Sequence, residues 1–174
     1  MTNTESNDSI HLRGGLSISI QQMQTIQKCI ERLVDMVPAK YVLVVDTSGQ
    51  VVTSGGDKGI VDQAILGSLI AADMAASQEI ARITGEFQEY QMILREGNKT
   101  NIIISEAGKH LVLLALFSKE TPIGWSRALI QKCSKEVGAY TALNIDSTVD
   151  IPPDVVDGNL PELFNDALDQ IWKE

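Results

Sequence analysis

At 174 residues, with 44% hydrophobic and 21% charged residues, the chain has the size and composition of one globular domain with appendages. Its net charge of −9 argues against nucleic acid and anionic lipid as partners, and no apolar run approaches the roughly 18 residues of a membrane span. The polar N-terminus, Thr2 to Asp8, lacks the basic-then-apolar order of a signal peptide, so a cytoplasmic protein is expected.

Residues 1–16 show no hydrophobic periodicity and are expected to be disordered. A helix is signalled from Ser19. Ser19 and Gln22 fit a capping box; Ile20, Met23, Ile26, Ile30, Leu33, Val34 and Val37 recur at helical spacing; and Pro38 ends the pattern. Tyr41 to Val45 is a continuous, β-branched apolar run, suited to a strand buried on both faces. Asp46-Thr47-Ser48-Gly49-Gln50 follows with turn chemistry, since aspartate can bond its own backbone two residues on and glycine can adopt φ > 0. Val51-Val52-Thr53 resumes the strand pattern, Gly55-Gly56 ends it, and Asp57 is the expected N-cap of a helix over about 59–83.

That helix carries two stripes when its residues are placed at about 100° intervals. Val61, Ile65, Leu69, Ala72, Ala76 and Ile80 form the expected core face. Ala64, Gly67, Ser68, Ala71 and Ala75, all small, lie roughly opposite, and Leu66, Ile70 and Met74 continue the apolar surface between them. Helix propensity explains the alanines but not Gly67, which costs about 1 kcal/mol relative to alanine. A stripe of small residues lets another backbone approach closely, which makes it a candidate partner surface. Arginine at Gly67 or Ala71 is then expected to block partner binding while leaving the fold intact.

Three strands should follow. The first is Phe87 to Arg95, with Tyr90, Met92 and Leu94 on one face. After the Glu96-Gly97-Asn98-Lys99 turn comes Thr100 to Ser105, and after Ala107-Gly108 comes His110 to Phe117, the most apolar run and therefore a central strand. Thr121-Pro122 opens a helix expected to bury Ile123, Ile130, Cys133, Val137 and Tyr140. Cys29 and Cys133 both fall in helical patterns. They fit either a disulfide or two buried thiols, and a reducing cytoplasm favours the thiols. Residues 143–158, with Pro152-Pro153 and Gly158, read as an acidic linker. Residues 159–174 read as an amphipathic helix with Leu160, Leu163, Phe164, Ala167, Leu168, Ile171 and Trp172 on one face. Eight carboxylates against Lys173 give residues 143–174 a net charge of −7.

Catalytic constellations are not evident. The two histidines, His11 and His110, are far apart in sequence, and neither cysteine has a CxxC neighbour. Thr53 to Gly59 lacks phosphate-loop spacing, and the acidic tail lacks the EF-hand pattern. An enzyme is not expected, and no cofactor or metal is implied.

The run V-L-V-V-D-T-S-G-Q-V-V at 42–52, with its Asp46 and Gly49 turn, is followed by a glycine-ended second strand and the helix at 59–83. Together with the hairpin I-I-I-S-E-A-G-K-H-L-V-L-L at 102–114, these features resemble the Roadblock/LC7 family over roughly residues 20–142. The N-terminal extension and C-terminal helix look most like the bacterial branch that serves gliding motility and cell polarity, since dynein light chains of the family are little more than the bare domain. The resemblance implies an α+β, profilin-like fold over 17–142, in the order α-β-β-α-β-β-β-α. A five-stranded antiparallel sheet would carry the 59–83 helix on one face and two helices on the other. It also implies a homodimer joined through the 87–95 strand and the 59–83 helix, with Phe87, Tyr90, Met92, Leu94, Leu66, Ile70 and Met74 at the interface. Such dimers resemble a noncatalytic platform that binds a small Ras-like GTPase in its GTP form and accelerates hydrolysis by arranging the GTPase's own residues. Ala64, Gly67, Ser68, Ala71 and Ala75, with Phe164, Leu168 and Trp172 of the C-terminal helix, would be the partner-binding residues. A scaffold with no effect on nucleotide turnover is the alternative reading. A small-ligand sensor, the third, needs a sizeable internal cavity.

Overall fold

The structure, a computed structural model, describes residues 9–59, 61–85 and 92–142. The expectations for Phe87 and Tyr90, the 143–158 linker and the 159–174 helix with Phe164, Leu168 and Trp172 lie outside the described residues.

The N-terminal segment departs from expectation. Strands β1 (Ser9–His11) and β2 (Ser17–Ser19) pair antiparallel, so residues 9–16 are not disordered. The apolar side chains Leu12 and Ile18, too few and too irregular to make a periodic signal, are both buried in the core. Helix α1 (Ile20–Met36) then opens with the expected capping box: the Ser19 hydroxyl accepts from Gln22 N at 3.2 Å, and Gln22 Oε1 accepts from Ser19 N at 2.9 Å.

Strand β3 (Ala39–Asp46) is buried along almost its whole length, as its unbroken apolar run demands. It pairs antiparallel with β4 (Val51–Gly56) through the Asp46–Gln50 turn. Helix α2 (Gln63–Thr84) follows, then β5 (Met92–Glu96), β6 (Thr100–Ala107), β7 (Leu111–Ser118) and α3 (Ile123–Ala142). The sheet order is β4-β3-β7-β6-β5, every pair antiparallel. The most apolar strand, β7, is therefore central and β5 is an edge. Alternating side chains divide the sheet into two faces. Val42, Val44, Leu113, Ala115 and Ile103 pack against Ile26, Ile30 and Leu33 of α1 and Ile130 and Val137 of α3. Leu43, Val45, Val112, Leu114 and Ile104 pack against Ile70 and Met74 of α2. One helix on one face and two on the other is the expected α+β architecture. Within α3, Ile130, Cys133 and Val137 are buried as read, whereas Ile123 and Tyr140 are only half-buried.

The β3–β4 turn fastens both layers. Asp46 is fully buried, and its carboxylate accepts from Ser48 N at 2.9 Å, the Ser48 hydroxyl at 2.6 Å, Gln50 N at 2.8 Å and Gly14 N at 2.8 Å. The last of these ties the β1–β2 connection to the turn, and Gln50 Oε1 adds a bond from Arg13 N at 3.0 Å. Burial alone would raise the carboxyl's pKa. The Ser48 hydroxyl and the Gly14, Gln50 and Ser48 N–H groups outweigh burial and hold it below the ordinary carboxylate range.

On the other side of the turn, Gly49 has φ 87° and α2 lies directly against it. A Cβ built on Gly49 would sit 2.7 Å from Ser68 Cα, and one built on Gly67 would sit 2.5 Å from the Gly49 carbonyl oxygen and 3.1 Å from Val45 Cγ1. Two glycines thus form the seat of the helix on the sheet. The N-cap of α2 is Asp62, whose Oδ1 accepts from Ala64 N at 3.0 Å and Ile65 N at 3.1 Å, and not Asp57. Asp57 instead accepts from Gly59 N at 2.9 Å, and Gly59 has φ 47°, so the helix cannot begin there.

The turn is open to two tests. Gly67→Ala drives a methyl group into the Gly49 carbonyl and should cost about 1–3 kcal/mol, read as a lowered urea midpoint. Gly124→Ala in α3, where a Cβ meets nothing within 4 Å, should leave the midpoint unchanged or raised; equal effects at the two sites would refute the seat. Asp46→Asn should cost about 2 kcal/mol near neutral pH, where a carboxylate accepts these bonds. Because the folded-state pKa is depressed, that stabilisation exists above the unfolded pKa and is lost as pH falls through the folded one. The difference between wild type and Asp46→Asn in urea unfolding should therefore shrink between about pH 6 and about pH 2; a constant difference would refute it.

Candidate functional site

The α2 surface is turned the other way from the sequence expectation. The buried residues of the helix are Gly67, Ile70, Ala71, Met74 and Ala81. The stripe expected in the core points outward: Ile65 is 60% exposed, Leu69 62% and Ile80 56%, with Val61, Ala72 and Ala76 exposed beside them, and Ile83, which was not part of that stripe, is 71% exposed as well. The physical reason is the seat on Gly49. Only a glycine at position 67 clears the turn's carbonyl, so the helix must present Gly67 inward, and residues about 180° away must face out.

This corrects several of the candidate residues. Gly67 is buried against the chain's own turn and cannot meet a partner's side chains, so arginine there would dislodge α2 and not merely block a surface, and Ala71 is largely buried, 9% exposed. Ile70 and Met74, expected between copies, are core residues of the same chain, and Leu66 is half-buried against them. Ala64, Ser68 and Ala75 remain exposed along the flank of the outward stripe, where the Ser68 hydroxyl donates to the Ala64 carbonyl at 3.0 Å. Among the strand residues, Leu94 is 44% exposed and Met92 half-buried.

Among the described residues, strand β5 pairs with β6 on one side only, and none of them pairs with its outer edge. Arg95 on β5 and Asp73 on α2 are joined by a 2.6 Å ion pair, so the open edge and the helix are tethered side by side. Glu79 and Arg82 pair on the exposed side of α2, and Arg82 draws the Glu79 carboxyl below its ordinary pKa. The surface is therefore an apolar stripe with charged neighbours, adjoining an open strand edge. Such an arrangement suits protein–protein contact.

Among the described residues no group of three His, Cys, Asp or Glu side chains could hold a metal ion, and no helix is long and apolar enough to cross a membrane. Thr53 to Gly56, part of the stretch compared with a phosphate loop, are strand residues paired with β3. An open groove of about 390 Å³ runs past the β6–β7 turn, where Ala71 and Ala75 of α2 approach Lys109 and Ser134. Sequence reasoning missed the outward stripe as a surface, although Gly67 itself was the signal of which side must touch backbone.

Several solved structures share this fold. Myxococcus xanthus MglB aligns with a TM-score of 0.69 and 29% identity, covering 76% of this chain and 98% of that one. The gliding protein MglB of Thermus thermophilus aligns at 0.69 and 21% identity, covering 75% and 98%, and a Roadblock/LC7 domain from Streptomyces avermitilis at 0.61 and 17%, covering 67% and 98%. No curated protein matches the sequence significantly. The model of the Roadblock/LC7 domain matches residues 25–117, more than half of the chain, and the protein belongs to that family.

Proposed function

We propose that the protein is a noncatalytic, homodimeric regulator that binds a small Ras-like GTPase in its GTP form and accelerates GTP hydrolysis, in the cytoplasm, for cell polarity or gliding motility. The observation that carries this reading is the outward apolar stripe of α2 beside the open edge of β5, on a fold like that of Myxococcus MglB.

Burying a large aliphatic side chain is worth about 1.5–3 kcal/mol, so Ile65, Leu69, Ile80 and Ile83 together make exposure to water costly. An unpaired strand edge invites pairing in the same way. A two-fold axis beside β5 satisfies both: the two β5 strands pair into a ten-stranded sheet, and the two α2 helices lie along each other across the axis. Met92 and Leu94 of β5, with Phe87 and Tyr90 before it, belong to that junction. The GTPase then meets the flank carrying Ala64, Ser68 and Ala75, where small side chains permit close approach. The apolar face of the C-terminal helix, Phe164, Leu168 and Trp172, supplies a second contact on its acidic segment. The platform itself contributes no catalytic group and acts by ordering the GTPase's own residues.

The test is single-turnover GTP hydrolysis by the Ras-like GTPase of the same cell, with and without this protein and with a chain ending at residue 142. The full chain should accelerate hydrolysis roughly ten- to a hundredfold, short of the ~10³–10⁵ of an arginine finger. The truncated chain should bind more weakly. Binding with no acceleration would replace this reading with an adaptor, and no binding at all would remove the GTPase as partner.

A further inference from the structure

We propose that Cys29 and Cys133 form an oxidisable dithiol that closes to a disulfide bridging α1 and α3. This is independent of the GTPase reading, because the two helices lie on the sheet face opposite α2.

The two sulfurs are 3.0 Å apart, closer than non-bonded sulfurs ordinarily pack. They sit in one core layer, Cys29 at 3% and Cys133 at 5% exposure, on helices 104 positions apart in sequence. Their surroundings differ. The Cys29 thiol also donates to Glu136 Oε2 at 3.3 Å, and Arg32 Nη2 meets the same oxygen at 3.2 Å. Glu136 and Arg32 reach the surface, their side chains 23% and 45% exposed. They roof the thiols and give the Cys29 proton a path to solvent. Cys133 faces Cys29 and the Cys29 carbonyl, 3.9 Å away. Its contact with Cys29 and its burial push its thiol pKa up, and of the two sulfurs it is Cys29 that touches the surface-reaching Glu136.

The oxidant that fits so closed a site is a small hydroperoxide. The Cys29 sulfur gives up its proton to the Glu136 carboxylate and attacks the terminal peroxide oxygen. The O–O bond breaks, the alkoxide or hydroxide formed takes the proton from Glu136, and Cys29 becomes a sulfenic acid. The Cys133 sulfur then attacks the Cys29 sulfur, and the S–O bond breaks. The leaving hydroxide departs as water with the Cys133 proton. Two thiols and one hydroperoxide thus give one disulfide, one alcohol (or water) and one water, with two electrons passing from sulfur to oxygen. Closing so long a loop restricts the unfolded chain and should raise thermal stability.

Hydrogen peroxide added to the native full-length protein, followed by intact-mass and peptide analysis, tests this. The expected result is joint loss of both thiols, a mass decrease of two hydrogens, a Cys29–Cys133 cross-linked peptide within one chain, and a melting temperature raised by roughly 10 °C and restored by dithiothreitol. Cys133→Ser should stop at a sulfenic acid on Cys29 that dimedone traps, whereas Cys29→Ser should leave Cys133 unlabelled. Thiols that survive excess peroxide, oxidation at each sulfur separately, cross-links only between chains, or dimedone on Cys133 with none on Cys29 would each overturn the proposal.

Discussion

The contact between Gly49 and Gly67 decides how the molecule faces its surroundings. The turn after β3 offers α2 a backbone carbonyl where a helix normally meets side chains, and only a residue without a Cβ fits over it. With Gly67 seated there, the inward face of the helix is set. Ile70 and Met74 fall onto Leu43, Val45 and Leu114, and the larger aliphatic stripe is left facing water. The surface proposed for partners is thus a consequence of core geometry.

The same turn organises the opposite layer. The four hydrogen bonds accepted by buried Asp46 stiffen the loop that carries Gly49 and hold the chain at Gly14. Leu12 and Ile18 then extend the core that α1 and α3 close over the sheet. That layer is continuous from the N-terminal hairpin to α3. The α2 layer is narrower, so unsatisfied apolar area is concentrated on one helix and on the neighbouring edge strand. The dithiol belongs to the closed layer and the partner surface to the open one.

Much of this was legible in the sequence. Uninterrupted apolar runs, β-branched in β3 and leucine-rich in β7, identified both as interior strands. The Ser19–Gln22 spacing located the start of α1, and the Asp46–Gly49 turn was read with both its chemical roles. The face of α2 was misread because amphipathicity weighs side-chain size, whereas the sheet beneath selects for clearance. Size pointed Ile65 and Leu69 inward, and backbone contact required Gly67 there. Gly67 signals close approach of a backbone, and the backbone that it meets is the chain's own and not a partner's. The N-terminal hairpin escaped because Gly14-Gly15 divides its apolar residues into two pairs, Ile10 with Leu12 and Leu16 with Ile18, too short to make a period, and only the tertiary context of Asp46 and the α1 core gives them a place. For Cys29 and Cys133 the sequence leaves a disulfide and two buried thiols both open, since helix–helix register over so long a separation is not encoded in local pattern, and the structure shows two free, buried thiols in contact.

The central claim is that the outward face of α2 and the β5 edge are covered by a second copy of the chain. Light scattering coupled to size-exclusion chromatography at micromolar concentration tests it most directly, on the wild type and on Leu69→Arg. This substitution alters a side chain 62% exposed in the single chain, and so spares its core. The account predicts roughly twice 18.9 kDa for the wild type and a folded monomer for Leu69→Arg, because a charge forced into an apolar interface costs several kcal/mol. A monomeric wild type, or a Leu69→Arg variant that remains fully dimeric, would contradict it.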